Sequence, residues 1–352
     1  MSLEQKLLVK RQSLYLKPTE GRVYAHQNVP DFLRKAPLVY DPFPREDPVR
    51  GYLAYWSGGR SCIVEDKESR RTFRLKGISF KEHSPKVEYD LSDDLILGGD
   101  SDIPYRIEGG QFLQSAKYEI AFCNRWNRVL REEGVLPVMQ YRGRYHYPYA
   151  IAKKYKMDAT LFEVAGDTRV DELMQEIEII FKQLSPLFYL HTEKMRVEKI
   201  KMIVKYGRSL YRSLGFVSGR LKKLMDRAGM TWGDSPQNTN AHHGNIVVYP
   251  ADENHLGVGL VDFDASCDRS EFTQKQLRIQ QHCERAEFTG NHLPEVAISG
   301  KYTYPYSKAF PMVELRKQFR RGFKEGYAQT FRKTLSNLVD REPYDELMRF
   351  LN

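Results

Sequence analysis

Residues 238–249 read Asn238-Thr239-Asn240-Ala241-His242-His243-Gly244-Asn245-Ile246-Val247-Val248-Tyr249. After a polar stretch from Pro250 to His255, the chain resumes as Leu256-Gly257-Val258-Gly259-Leu260-Val261-Asp262-Phe263-Asp264. Two runs rich in β-branched residues, 246–249 and 258–261, with a polar turn between them predict the arms of a short β-hairpin. The outer ends of a hairpin come together. Asn245, just before the first arm, and Asp262, just after the second, are therefore expected to converge as an amide oxygen beside a carboxylate. Mg²⁺ prefers hard oxygen ligands, takes only one or two from protein and fills its remaining positions with phosphate oxygens and water. The segment alone thus points to a magnesium–phosphate site. The alternative is a polar turn pair that only caps the hairpin.

Upstream, the texture is β-like. Residues 51–56, 62–65 and 71–79 read as three strands joined by the turns Ser57-Gly58-Gly59-Arg60 and Lys67-Glu68-Ser69-Arg70. Residues 1–50 read as an extension, with Asp41-Pro42-Phe43-Pro44 and Asp47-Pro48 as an extended connector. Residues 80–109 are polar, acidic and glycine-containing, and their pattern specifies no element. Helical spacing of Phe112, Ala116, Glu119, Ile120 and Cys123 predicts a helix over 111–133, closed by Gly134. The tyrosine-rich stretch 135–151 predicts two more strands. From residue 153 onward the pattern is largely helical, over 170–192, 196–228 and a final stripe of Leu315, Phe319, Phe323, Tyr327 and Phe331. Five strands with one helix, followed by a helical half, predict an α+β chain in two lobes, 51–155 and 156–352, after the extension 1–50.

The run from Asn240 to Asp264 resembles the catalytic and metal-binding loops of the protein-kinase-like superfamily. Its nearest forms are the aminoglycoside-phosphotransferase pattern Asp-x-His-x-Gly-Asn and the HipA-type pattern Asn-Thr-Asp-x-His-x-x-Asn. Asn240, His242, Gly244 and Asn245 stand at the corresponding positions, and Val261-Asp262-Phe263-Asp264 resembles Asp-Phe-Gly or Asp-Phe-Asp. The resemblance implies a two-lobed kinase-like fold with a small antiparallel β lobe and a larger helical lobe. It also implies ATP and Mg²⁺ as ligands, with Asn245 and Asp262 holding the metal. Such a fold needs a glycine turn over the phosphates, a strand lysine to pair with them and a helix glutamate to orient that lysine. Gly58 and Gly59, Lys76 and Glu119 stand in the right order for those roles, and 150–162 falls where a hinge would contact adenine. The implied activity is transfer of a phosphoryl or nucleotidyl group to a protein or small-molecule acceptor.

One position departs from the pattern. The family's catalytic Asp is Asn240 here, and an amide cannot accept a proton as a carboxylate does. His242, His243 and Asp234 are the nearby substitutes. Either one of these does that work, or the chemistry needs no strong base, or the alternative reading holds: a pseudokinase, a nucleotide-binding or protein-interaction scaffold without turnover.

Composition sets the outer bounds. The chain has 352 residues, 41% hydrophobic and 29% charged, with a formal net charge of +9. That balance is compatible with nucleotide, nucleic-acid or acidic-protein partners, though no nucleic-acid motif supports the second of these. The four cysteines, Cys62, Cys123, Cys267 and Cys283, form no CxxC pair, so neither a zinc site nor a disulfide framework is expected. The amino-terminal residues lack the apolar core of a signal peptide, and no window has the ~18 apolar residues of a membrane span. A cytoplasmic setting follows as the expectation. The Leu315–Phe331 stripe is expected to pack a core rather than face a membrane.

Overall fold

The fold is described from a computed structural model. The structure describes residues 13–41, 48–54, 61–78, 87–88, 106–107, 111, 113–148, 158–184, 193–235, 238–263, 266–267, 269–289, 312–329 and 335–351. The chain is α+β and divides into two units, residues 1–124 with 139–167 and residues 125–138 with 168–352.

In the first unit, β1 (Ser13–Pro18), β2 (Arg22–Ala25), helix α1 (Asp31–Arg34) and β3 (Leu38–Tyr40) precede β4 (Val49–Leu53), β5 (Ser61–Asp66) and β6 (Arg71–Lys76). A two-strand ladder of β7 (Val87–Glu88) with β8 (Arg106–Ile107) follows, then helix α2 (Leu113–Glu132), of which the residues up to Asn124 belong to this unit, β9 (Met139–His146) and β10 (Asp158–Val164). Eight of these strands form one antiparallel sheet in the order β2-β9-β10-β6-β5-β4-β1-β3. Period-two alternation sorts its faces. Phe73 and Leu75 of β6 enter a core with Leu14, Leu16, Val64, Tyr145 and Leu161, which leaves Lys76 for the opposite face.

Residues 13–41, read from the sequence as part of the extension 1–50, supply three strands and a helical turn of this sheet, while 42–47 of the expected connector lie outside the described residues. Leu33 and Leu38 are fully buried, and the Tyr145 and Tyr147 hydroxyls donate to the carbonyls of Leu33 (2.8 Å) and Leu38 (2.9 Å). In place of the two strands expected over 135–151, its described residues, 135–148, carry one, β9. Its partner β10 lies at 158–164, where hinge and helix had been expected, and its seven residues are almost all buried.

In the second unit, β11 (Thr168–Arg169) leads into helices α3 (Val170–Leu184) and α4 (Glu193–Arg227). The short strands β12 (Gly233–Ser235) and β13 (Asn238–Thr239) then pair with each other. The predicted hairpin is present as β14 (Ile246–Pro250) and β15 (His255–Leu260), in register from Ile246↔Leu260 to Pro250↔Leu256. Helices α5 (Gln274–Thr289) and α6 (Met312–Ala328), strand β16 (Leu338–Asp340) and helix α7 (Glu342–Leu351) complete the unit, whose sheet runs β11-β14-β15-β16.

Helices α4 and α6 approach until their backbones touch. A Cβ at Gly215 or Gly219 would lie 2.1 or 2.2 Å from the carbonyl oxygen of Phe319 or Phe323, and one at Gly326 would lie 1.9 Å from that of Phe216. The carboxy-terminal stripe is core, as expected. Leu315, Phe319 and Phe323 are buried, and Phe323 stacks on Phe288 at 4.8 Å. Phe331 lies outside the described residues. Among the described residues no helix is long and apolar enough to cross a membrane.

Candidate functional site

The hairpin does bring its ends together. The Val261 amide donates to the Asn245 carbonyl at 3.1 Å, closing the loop between the two arms. A 3₁₀ turn, His243–Asn245, carries Asn245 into β14. Its amide nitrogen lies 3.0 Å from the Asn240 carbonyl and 3.2 Å from His242 Nε2. A primary amide has two N–H donors, and both are used inside the loop. The group left for chemistry is the carbonyl oxygen Oδ1, the atom a hard cation would take. Gly244 is fitted to this turn, since a Cβ there would sit 3.0 Å from the His242 ring.

Asp262 is held from its backbone. Its φ is +67°, a left-handed conformation that Asp tolerates better than most residues at a cost of about 1–2 kcal/mol. Two donors meet its carbonyl oxygen, Asn240 Nδ2 at 3.0 Å and the Trp232 indole Nε1 at 3.2 Å. The same indole donates to the Val261 carbonyl at 3.0 Å, and the Trp232 carbonyl accepts the Asn240 amide at 2.8 Å. A neutral bond contributes about 1 kcal/mol, and the indole's single N–H is shared between the two carbonyls, so Asn240 is the full donor to Asp262 and offsets much of the strain.

Behind this loop stands a buried charge cluster. Glu284 of α5 receives the Trp232 amide at 2.7 Å and the Gln280 side chain at 2.9 Å, and pairs with Lys222 of α4 at 2.7 Å. Lys222 also bridges to Asp226. Burial opposes the charge on Lys222, but the carboxylates of Asp226 and Glu284 outweigh it and keep the ammonium protonated. Burial pushes the Glu284 carboxyl upward, against the pull of Lys222.

The two histidines are neutral. Burial lowers His242 to about 4, with the Asp262 carboxylate opposing and Arg169 assisting. Because His242 Nε2 faces an amide N–H, its ring proton belongs on Nδ1. Burial, and then the positive Arg316, lower His243 to about 3. That ring packs against Phe319 at 4.5 Å and Phe288 at 5.6 Å, which makes it a core residue. Arg169 of β11 braces the turn from the other side, donating to the Gly244 carbonyl at 3.2 Å.

No family model and no curated protein matches the chain. A solved structure of WaaP in complex with acyl carrier protein aligns with 85% of this chain over 85% of its own, at 11% identity and a TM-score of 0.32. So distant a likeness decides nothing about activity. The chain's own geometry has to carry the reading.

In the first unit, the structure joins Lys76 and Glu119. The ammonium is 3.1 Å from Glu119 Oε1, with both side chains essentially removed from solvent (3% and 1% exposed). Glu119 Oε2 accepts from Gln111 at 2.7 Å, and Gln111 Oε1 accepts from the Thr160 hydroxyl at 3.0 Å. Strand β6 supplies the lysine, α2 the glutamate and β10 the threonine. Gly77, at φ +92°, turns the chain immediately after the lysine, and a Cβ there would strike Gln111 at 2.8 Å.

Gly58 and Gly59, Asp264, and 150–157 of the expected hinge lie outside the described residues. Sequence reading missed Gln111, Thr160, Trp232, Lys222 and Glu284. Of these, only Trp232, an isolated large aromatic in the polar run Thr231-Trp232-Gly233-Asp234, carried a local signal. Among the described residues no group of three or more His, Cys, Asp or Glu side chains forms a metal cage. A magnesium ion that relies on phosphate oxygens requires none.

Proposed function

We propose that the chain is a kinase-like ATP- and Mg²⁺-binding protein that transfers a phosphoryl or nucleotidyl group. In this reading Asn245 Oδ1 and the Asp262 carboxylate hold the metal. Lys76, fixed by Glu119, pairs with the phosphates, and the acceptor is a protein or small molecule. The observation that carries the reading is the orientation of Asn245, whose two amide hydrogens are spent within the loop next to a backbone-pinned Asp262. The residues suit the group: two oxygen donors, one anionic, leave most of a magnesium shell for phosphates and water. A buried lysine that already carries a carboxylate partner suits a phosphate contact, because the glutamate fixes its position. Bound Mg²⁺–ATP would supply the electrophilic phosphorus and neutralise its charge. This chain's residues would orient and anchor it.

The second reading, a scaffold without turnover, is favoured by Asn240, which is engaged with the Asp262 carbonyl. The first test is thermal stability with ATP and Mg²⁺, together and with EDTA. The expected result is a rise in Tm that EDTA reverses and Asp262→Ala abolishes. No rise over a wide range of ATP concentration sinks both readings. Labelling ATP separately on its α and γ phosphates then decides between nucleotidyl transfer, phosphoryl transfer and binding alone.

A further inference from the structure

We infer that Asn240 is a positioning residue for Asp262, and that an amide, not a carboxylate, is required at this position. This rests on the proposed metal role of Asp262. The residue occupies the place where the resemblance puts a catalytic base, so the simplest reading of an amide there is a base that has been lost. The hydrogen bonds give a different account. Asn240 Nδ2 donates to the Asp262 carbonyl at 3.0 Å, while the Asn240 backbone amide is tied to the Trp232 carbonyl at 2.8 Å. The Asn240 carbonyl in turn accepts from Asn245 Nδ2 at 3.0 Å. One residue thus touches both proposed metal ligands, Asn245 through its backbone oxygen and Asp262 through its side-chain nitrogen.

The direction of the second contact is decisive. A carbonyl oxygen only accepts, so its partner must be a donor, and an ionised carboxylate has no hydrogen to give. Asp at this position would set an anionic oxygen about 3 Å from the carbonyl, turning attraction into repulsion. The carbonyl concerned belongs to a residue at φ +67°, where backbone orientation sets the direction of the Asp262 side chain. His242 does not take over as the base: its Nε2 lies 3.2 Å from the Asn245 side-chain nitrogen and is engaged within the loop. Asn240 is thereby built into the loop as a donor.

The test compares Asn240→Asp, which preserves size but removes the donor, with Asn240→Ala, which removes both. Two readouts are needed. One is the hydrogen-exchange rate of the Val261 amide without nucleotide or metal; the other is MgATP affinity by calorimetry. A residue that merely fills space is spared by Asp and harmed by Ala. A donor to the Asp262 carbonyl predicts the opposite order. Asn240→Asp exchanges at Val261 about tenfold faster than wild type and at least as fast as Asn240→Ala, and it binds MgATP about tenfold more weakly, while exchange in β9 and β10 is unchanged.

Asn240→Asp within twofold of wild type in exchange overturns the inference, as does a gain of phosphoryl transfer in that variant. If wild type binds no MgATP but Asn240→Asp still accelerates exchange at Val261, the nucleotide reading fails and the positioning role stands.

Discussion

Replacing Lys76 with Met removes the cation 3.1 Å from a carboxylate that is 1% exposed. Breaking a buried ion pair from one side typically costs about 3–5 kcal/mol, because the remaining charge stays desolvated. Here Gln111 continues to donate to Glu119 Oε2 at 2.7 Å, so the lower end, about 3 kcal/mol, is expected. With an m-value of about 2 kcal/mol/M, that moves the urea midpoint of the first unit down by about 1.5 M. The double variant Lys76→Met/Glu119→Gln should recover most of this. A glutamine at 119 still accepts from Gln111 and leaves no charge in the core, so the double variant is expected within about 1–2 kcal/mol of wild type.

Urea unfolding, with hydrogen exchange in β6 and β10 as the local probe, measures both effects. The double variant then separates folding from function, since it is near-native in stability but should bind MgATP at least tenfold more weakly. Two results would refute the reasoning: Lys76→Met costing less than about 1 kcal/mol, or a double variant no more stable than the single. Either would mean that the pair is not desolvated as its geometry indicates.

Other substitutions probe the frame around the two sites. Gly326→Ala should destabilise by about 1–3 kcal/mol on thermal unfolding, despite the ~1 kcal/mol that Ala ordinarily gains in a helix, because its Cβ would meet the Phe216 carbonyl at 1.9 Å and separate α4 from α6. Stabilisation would show that the helices are not in backbone contact. Tyr145→Phe should cost about 1–2 kcal/mol by stranding the buried Leu33 carbonyl, and deletion of residues 1–41 should give insoluble protein; a soluble, folded truncation would show that β1–β3 are dispensable.

Acid should destabilise the nucleotide-free protein as well. His242 and His243 are lowered from 6.5 to about 4 and about 3 by burial, so below pH 6.5 the unfolded chain takes up protons that the folded chain refuses. Their stabilisation is complete above pH 6.5 and is lost as pH falls through the folded values, at up to about 1.4 kcal/mol per pH unit for each histidine. His243→Gln should flatten that slope between pH 6.5 and 5, and an unchanged slope would contradict a buried neutral ring.

How much of this was legible in the sequence depends on the range over which each signal acts. The β14–β15 hairpin was readable because pattern, turn and end residues all lie within thirty positions, and the structure pairs the two arms, Ile246 with Leu260 through Pro250 with Leu256. The pairing of Lys76 with Glu119 was also anticipated, though through order along the chain and the resemblance rather than through anything local to either residue. The strands within 13–41 were not legible, because an extended segment does not say whether a neighbour will pair with it. That choice was made elsewhere, by the tyrosines of β9 and the residues that follow it. Gln111 and Thr160 were invisible for a related reason. A buried polar side chain is recognisable only by its partners, and these come from separate elements, α2 for Glu119 and β10 for Thr160.

The same holds for Asn240, with one difference. Sequence showed the departure from the expected carboxylate but not the partner of the amide. The carbonyl it serves belongs to Asp262, on the far side of the hairpin, and the need for a donor there arises from that residue's left-handed backbone. A substitution that looks like loss when aligned with a motif is, in three dimensions, the way this loop holds the carboxylate on which its metal chemistry would depend.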